Sequence, residues 1–446
     1  MSNGTRETFT SRFAILMTMI GVAVGLGNFW RFPYMVGKFG GAPFVIFYLL
    51  LNLLIGIPAL MAEWTLGRST RQGTVGAFAR AGLPYGRSLG WFFFMIVVAA
   101  TGYYSNAIGW VLYHALTEVA AAFQLSYPAA EILPPPTGFA AKSFLLQLLC
   151  TGLVILSCAV VLLRGLRSGI EIISKITMPI LLIILIVLII RALTLPGAGR
   201  GLDWYILKFD WSALTGKVMV AALGQTVFSL SLGGTFMVVY GSYLNKNDDL
   251  KANAIWTALG DSLSGLLAGF AIIPAVFAFG LEPGSGPGLI FFTLPKVFGA
   301  IPLGWLFGLL FFAGLFGAGL LSNIAAFEVL VAGLTDNTAW PRTRAVWLLA
   351  ALVFFVAIPP MINMEIFVPW DLTFGSGMQT LGCLLAVITV AWVMKRSAAL
   401  KELAKNENSR FALGLYYWLR FVIPGAILLV GIWWLLTDVF KVLGGV

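Results

Sequence analysis

The sequence predicts an all-α polytopic membrane protein with about 11 transmembrane helices, and three observations carry that prediction. Of its 446 residues, 60% are hydrophobic and only 10% are charged, whereas an ordinary soluble domain is about 25% charged. Apolar runs of about 20 residues, long enough to cross the hydrocarbon core, recur along the whole chain. An aromatic share of 14% and 50 glycines fit closely packed membrane helices. Too few charges remain to cover soluble domains of this length. Most soluble enzymes and nucleic-acid binders are therefore excluded, despite the formal net charge of +10.

The spans are expected at roughly 12–36, 41–67, 88–123, 141–163, 167–194, 216–243, 253–280, 303–333, 343–360, 366–395 and 412–440. Basic residues collect in alternate loops: Arg68, Arg71, Arg80 and Arg87; Arg164 and Arg167; Lys246 and Lys251; Arg342 and Arg344; and Lys395, Arg396, Lys401, Lys405 and Arg410. This bias places the N-terminus in the cytoplasm, and an odd number of spans then puts the C-terminus outside. Arg191, Arg200, Lys208 and Lys217 run against it. No cleavable signal peptide is expected, since the first apolar run leads directly into Gly-rich sequence. External connections are the Pro-rich 126–137 stretch, 196–215, and 281–302. In the last of these, GSGPG precedes LIFFTLPKVF, which is too short to span and reads as a re-entrant or surface hairpin. KRSAALKELAKNENSR reads as a cytoplasmic linker with a solvated helical face. Cys150, Cys158 and Cys383 read as small buried hydrophobes, and the sole histidine, His114, cannot form a metal site alone.

Two spans carry chemistry. Span one reads MIGVAVGLGN, with Gly21, Gly25 and Gly27; span six reads GQTVFSLSLGGT, with Gly233 and Gly234. Both place helix breakers and small polar side chains at mid-membrane depth. They lie five spans apart, so they hold equivalent positions in two five-helix halves of opposite orientation. Paired interrupted helices in inverted repeats point to a transporter's central site. The halves are expected at 1–195 and 196–395, with 396–446 forming a linker and a final helix. Unwound backbone at this depth must meet a ligand, an ion or water. Carbonyls suit a dehydrated sodium ion, and helix N-termini suit a carboxylate.

These segments resemble a known family. VGLGNFWRFPY from Val24 to Tyr34, GG at 40–41, IPALMAEWTLGR at 57–68 and FSLSLGG in span six are similar to the neurotransmitter:sodium symporter family, especially its bacterial eleven-span amino-acid members. The resemblance runs from Arg6 to about the end of span ten. It implies the leucine-transporter-like fold with broken helices 1 and 6. It also implies that the Ala23 carbonyl, Asn28, Ser229 and Asp261 hold a first sodium, completed by the substrate carboxylate. Substrate contacts are implied for Val22, Ala23, Gly27, Ala100, Tyr104, Phe228, Ser229, Ser231, Gly234, Ser322 and Ala326. Tyr104 would bond the substrate carboxylate and close the outer side with Phe228; Tyr103 precedes it. Arg31 with Asp371, and Arg6 with Asp336 beneath Phe9, match the external and internal gates. Glu63 and Glu328 are assigned to structural hydrogen-bond networks.

Departures from the family pattern sharpen the expectation. Gly25 stands where monoamine transporters have an aspartate, so the substrate should bring its own carboxylate. Gly234, Ala100 and Ala326 are smaller than usual, which predicts a pocket for tryptophan, phenylalanine, tyrosine or leucine unless Val22 or Phe236 fills the space. Asp261 replaces the asparagine of chloride-dependent members; beside Ser229, Gln225 and Tyr48 it supplies a fixed negative charge, which predicts chloride independence. It is also able to carry a proton on the return step. The second sodium site would use carbonyls of Gly21, Val24 and Ala318 with Ser322, but its other side-chain ligand falls on Leu321, with Asn323 as a substitute only in a different register.

The expected function is sodium-coupled import of a bulky hydrophobic or aromatic amino acid by alternating access, with no enzymatic activity and no organic cofactor. An aromatic-acid carrier with weak sodium or proton coupling and a non-transporting sensor are the alternatives. A monomer or weak homodimer in the cell's inner (plasma) membrane is expected, with no nucleic-acid partner.

Overall fold

In the computed structural model, residues 7–434 and 436 are described, save 126, 285–287 and 405–408. The chain is helical almost throughout. The first span is a bent pair, α1 (Arg12–Ala23) and α2 (Gly27–Lys38), turned by 55° at the glycine-rich break. There follow α3 (Ala42–Thr70), the short α4 (Thr74–Arg80), α5 (Gly86–Ala122), α6 (Ala141–Leu163) and α7 (Leu166–Leu193). Span six is also split, into α8 (Gly216–Ser229) and α9 (Phe236–Gly241). The remainder comprises α10 (Leu250–Ala278), α11 (Leu289–Gly299), α12 (Gly304–Thr335), α13 (Arg342–Val356), α14 (Met364–Val393), α15 (Arg396–Leu403) and α16 (Arg410–Ile432).

Eight of these helices are long and apolar enough to cross a membrane, and the bent pair makes a ninth span. The split span six and the 15-residue α13 lie where the other two spans are expected from sequence. Polar side chains start several helices by accepting an otherwise orphaned N–H: Ser11 at α1, Thr215 at α8, Asp249 at α10, Asn363 at α14 and Ser409 at α16. LIFFTLPKVF, expected as a re-entrant or surface hairpin, is instead the single 11-residue helix α11, too short to span. Residues 437–440, the end of the expected last span, lie outside the described residues.

Burial sorts the helices. The most apolar stretch of α5 is 83% buried, against 28% for α7 and α16. α5 is therefore a central post, and it pairs most extensively with α12. α7 and α16 turn apolar side chains such as Ile183 and Leu429 outward, as lipid-facing helices do. Small residues let α9 approach α3 at backbone distance. A Cβ on Gly67 would stand 1.8 Å from the Val238 carbonyl oxygen, and one on Gly241 would stand 2.7 Å from the Trp64 Cα. The inner half of span six is thereby locked to span two.

The linker helix α15 has the solvated face expected of it, at Arg396, Ser397, Ala398 and Lys401, and a second face on which Ala399, Leu400 and Leu403 are buried. The Arg68 Nε donates to Glu402 Oε2 at 2.6 Å, and its Nη2 donates to the Glu402 carbonyl at 2.6 Å. Arg68 on α3 thus docks the linker, and an apolar face follows it inward.

Candidate functional site

The two breaks face each other, and their backbone groups are met by side chains. Val24 leaves the helix in an extended conformation (φ −72°, ψ 117°). The next two amides are then free of the helical ladder: Gly25 N–H donates to Asn28 Oδ1 at 3.1 Å, and Leu26 N–H donates to the Tyr104 hydroxyl at 3.0 Å. Because that hydroxyl accepts from Leu26, its own proton is left to point elsewhere. In span six, Ser231 (φ 51°), Gly233 (φ 88°) and Thr235 (φ 59°) turn through the left-handed region. Gly233 N–H donates to Glu63 Oε1 at 2.7 Å. The Ser231 hydroxyl donates to the Val22 carbonyl at 3.0 Å and ties one break to the other.

Beside the breaks lies a buried cluster of oxygens. Asn28 Nδ2 donates to Asp261 Oδ1 at 2.8 Å and to the Asp261 carbonyl at 3.0 Å. The Ser229 hydroxyl donates to Asp261 Oδ2 at 2.8 Å, and the Tyr48 hydroxyl donates to the same oxygen at 3.3 Å. Gln225 Nε2 donates to the Gly27 carbonyl at 3.3 Å. Asp261 itself is 0% exposed. Its hydrogen-bond donors here are neutral groups, so hydrogen bonding supports the carboxylate without cancelling its charge.

A cavity of roughly 530 Å³, counted to its open side, adjoins this cluster. Ala23, Gly25 and Gly27 of the first break form one wall, and Ala100, Thr101, Tyr103 and Tyr104 of α5 form another. Phe228, Ser231 and Phe236 come from span six, Ser322 and Ala326 from α12, and Gln379 from α14. A Cβ on Gly25 would lie 2.5 Å from the Ser322 hydroxyl and 2.6 Å from the Tyr104 hydroxyl. No side chain fits at Gly25 unless these two groups move.

Eight of the eleven sequence-selected substrate residues line this space: Ala23, Gly27, Ala100, Tyr104, Phe228, Ser231, Ser322 and Ala326. Three stand behind it. Ser229 turns to Asp261, and the Val22 carbonyl accepts from Ser231 and Ser322. Gly234 lies under Phe236, whose ring occupies the space the missing side chain leaves. The argument for a roomy pocket at Gly234 is corrected accordingly. Thr101 and Gln379 were not anticipated; no local motif singles out either of them.

At the second cation position, Ser322 donates to the Val24 carbonyl at 3.0 Å, and Ala318 is buried. Asn323 does not serve as a substitute: its Nδ2 donates to Ser105 at 3.0 Å and to Cys158 Sγ at 3.4 Å, away from the break.

The external gate residues come together. Arg31 acts electrostatically on Asp371, which also hydrogen-bonds Tyr103, and the Arg31 guanidinium lies 4.4 Å from the centre of the Phe228 ring. On the cytoplasmic side, Asp336 Oδ2 accepts from Gly73 N–H at 2.7 Å, and buried Phe9 meets Tyr243 edge-on at 6.3 Å. Arg6, its expected partner, lies outside the described residues. Glu328 accepts from Tyr243 and from Arg342, each at 2.5 Å.

Two facing helix breaks, an adjacent buried oxygen cluster and a cavity between central helices define an integral-membrane carrier of small solutes. The sodium:neurotransmitter symporter family model matches residues 6–130 and 141–441, and the chain belongs to that family. A sodium-dependent transporter of Haemophilus influenzae is 32% identical over 457 residues, 96% of this chain and 98% of that one. A sodium-dependent transporter of Bacillus subtilis is 32% identical over 450 residues, with the same coverage. The crystal structure of MhsT in complex with L-phenylalanine superposes with a TM-score of 0.83 at 33% identity, covering 96% of this chain and 99% of that chain. The protein is a helical sodium-dependent transporter, not an enzyme.

Proposed function

We propose that this protein imports a bulky hydrophobic or aromatic amino acid together with sodium, by alternating access and without a requirement for chloride. The observation that carries the proposal is Asp261: a fully buried carboxylate held by Asn28, Ser229 and Tyr48, all neutral donors. A carboxylate in the membrane interior calls for a countercharge. A sodium ion among Asn28, Ser229, Asp261 and the Ala23 carbonyl supplies it with hard oxygen ligands. Asp261 also takes over the charge that chloride provides elsewhere in the family.

The substrate reading rests on three features. The cavity walls are mainly aromatic and small apolar side chains. Among the described residues no carboxylate lines the cavity, which favours a substrate with its own. The Tyr104 hydroxyl, already accepting from Leu26, would turn its proton from neighbouring Ser322 to that substrate carboxylate. The relative solved with L-phenylalanine supports the same class.

The halves 1–195 and 196–395 would rock about this site, with 396–446 outside the repeat and gating at Arg31–Asp371 and Arg6–Asp336. The N-terminus is assigned to the cytoplasmic side of the inner (plasma) membrane by the basic loops, and the working unit is a monomer or weak homodimer.

A proton-coupled carrier of an aromatic acid is the rival, because a proton also neutralises a buried carboxyl. Equilibrium binding of labelled L-phenylalanine separates the two. Sodium should raise affinity at constant pH with potassium as the control; affinity indifferent to sodium but dependent on pH supports the rival.

A further inference from the structure

Resting on the sodium-coupled reading above, we infer that this chain moves a single sodium ion per cycle, because Leu321 and Ser322 form a cation-free latch where the family's second sodium would bind.

The donor set fails the requirements of an alkali cation. Stripped of water, such an ion needs oxygens around it to replace its hydration shell. Leu321 turns an aliphatic group, not an oxygen, toward Gly21, one of the expected donors: a Cβ built on Gly21 would stand 3.0 Å from Leu321 Cδ1. Leu321 is itself buried at 4% exposure, packed beside Gly21 of α1. The neighbours across from α7 are no better placed. The same Cβ would meet the Met178 thioether and the Ser174 hydroxyl, both at 3.7 Å. The Ser174 hydroxyl already donates to the Ile170 carbonyl at 2.8 Å.

Of the remaining oxygens, the Ser322 hydroxyl is already engaged by backbone carbonyls. The Ser322 hydroxyl donates to the Val24 carbonyl at 3.0 Å and reaches the Val22 carbonyl at 3.3 Å. Asn323, next in the chain, is held by Ser105 and Cys158. The helix register therefore turns its amide away from the break. One of the expected carbonyl donors, Val24, is thus met by a serine, and a leucine stands beside Gly21 where a side-chain oxygen is needed.

Charge points the same way. One sodium balances Asp261, and a zwitterionic amino acid adds no net charge. A second sodium would leave the loaded site positive within the membrane, where unbalanced charge is costly. The latch thus joins α1 to α12 whatever the sodium concentration, and the first site alone carries ion coupling.

The test is a thermodynamic measurement in proteoliposomes clamped at zero membrane potential. Labelled L-phenylalanine is preloaded, and the external sodium concentration that stops net flux is found for several substrate gradients. With one sodium per cycle, a roughly tenfold substrate gradient is balanced by a roughly tenfold opposing sodium gradient; with two, the same sodium gradient balances roughly a hundredfold. The first result is expected, together with a hyperbolic sodium dependence of uptake. Leu321→Thr restores an oxygen and should steepen that dependence, whereas Leu321→Ala, which removes the methyls without adding a ligand, should leave it hyperbolic. A wild-type stoichiometry of two overturns the inference, even if both variants fail to fold. Flux that no sodium gradient can stop refutes the sodium-coupled reading instead.

Discussion

The Phe236 ring occupies the space above Gly234: a Cβ built on the glycine would stand 2.1 Å from Phe236 Cε2 and 2.5 Å from its Cδ2. Volume absent from one residue is returned by another two positions along. The cavity is therefore bounded by Phe236, and its size follows from that ring together with the methyl-sized Ala100 and Ala326.

Phe236→Leu should enlarge the cavity and weaken the smaller substrates most. Each unfilled methylene costs about 0.8 kcal/mol, roughly fourfold in affinity. Competition against labelled phenylalanine should show leucine weakened by about tenfold and tryptophan by less. Gly234→Ala should act in the opposite direction by driving the ring inward, with tryptophan affected first. Equal changes for all substrates in both variants would place Phe236 outside the specificity-determining wall.

Tyr104→Phe removes the hydroxyl that accepts from Leu26 and, by this reading, donates to the substrate carboxylate. A hydrogen bond to a charged group contributes about 1.5–3 kcal/mol, so affinity should fall roughly ten- to hundredfold. The loss should shrink for a substrate analogue lacking the carboxylate. Equal losses for acid and analogue would restrict Tyr104 to holding the break.

Asp261→Asn keeps the hydrogen-bonding shape beside Ser229 while removing the charge. In chloride-free medium, sodium affinity should drop at least about tenfold, as losing one partner of a buried charge pair costs about 2–5 kcal/mol. Chloride should recover part of that loss in the variant and change nothing in the wild type. The readout is sodium titration of labelled phenylalanine binding with and without chloride.

Glu402→Gln should loosen the docked linker helix. Arg68 is 5% exposed at its side chain and holds Glu402 through both carboxylate and carbonyl. Buried pairs lose several kcal/mol when one charge is removed, and partial exposure of Glu402 at 23% moderates this to about 1–2 kcal/mol. A lower unfolding temperature in detergent is expected, with the sodium requirement for uptake unchanged.

Much of this was legible in the sequence because each signal was local. The two breaks announce themselves through glycines beside polar residues in otherwise apolar runs, and span edges follow from apolar length. Asp261 stands out because a lone carboxylate in an apolar helix needs a reason. What stayed hidden depends on contacts between distant segments. Nearer in sequence, residue types left open whether Val22 or Phe236 fills the space at Gly234; the structure gives Phe236, next to a left-handed turn at Thr235 (φ 59°). Gln379 reaches the cavity only once α14 is placed, and Arg68 meets Glu402 from 334 residues away. Asn323 is the opposite case. Its identity made it a reasonable cation ligand, and only the observed register, which binds it to Ser105, removes it.

The most direct test of the central claim is uptake of labelled tryptophan into proteoliposomes under an inward sodium gradient, with potassium replacing sodium in the control. Accumulation above equilibrium with sodium, and none with potassium, is expected if the Asn28–Ser229–Asp261 cluster couples a cation to the adjoining cavity. Equal uptake in both media would contradict sodium coupling at that cluster.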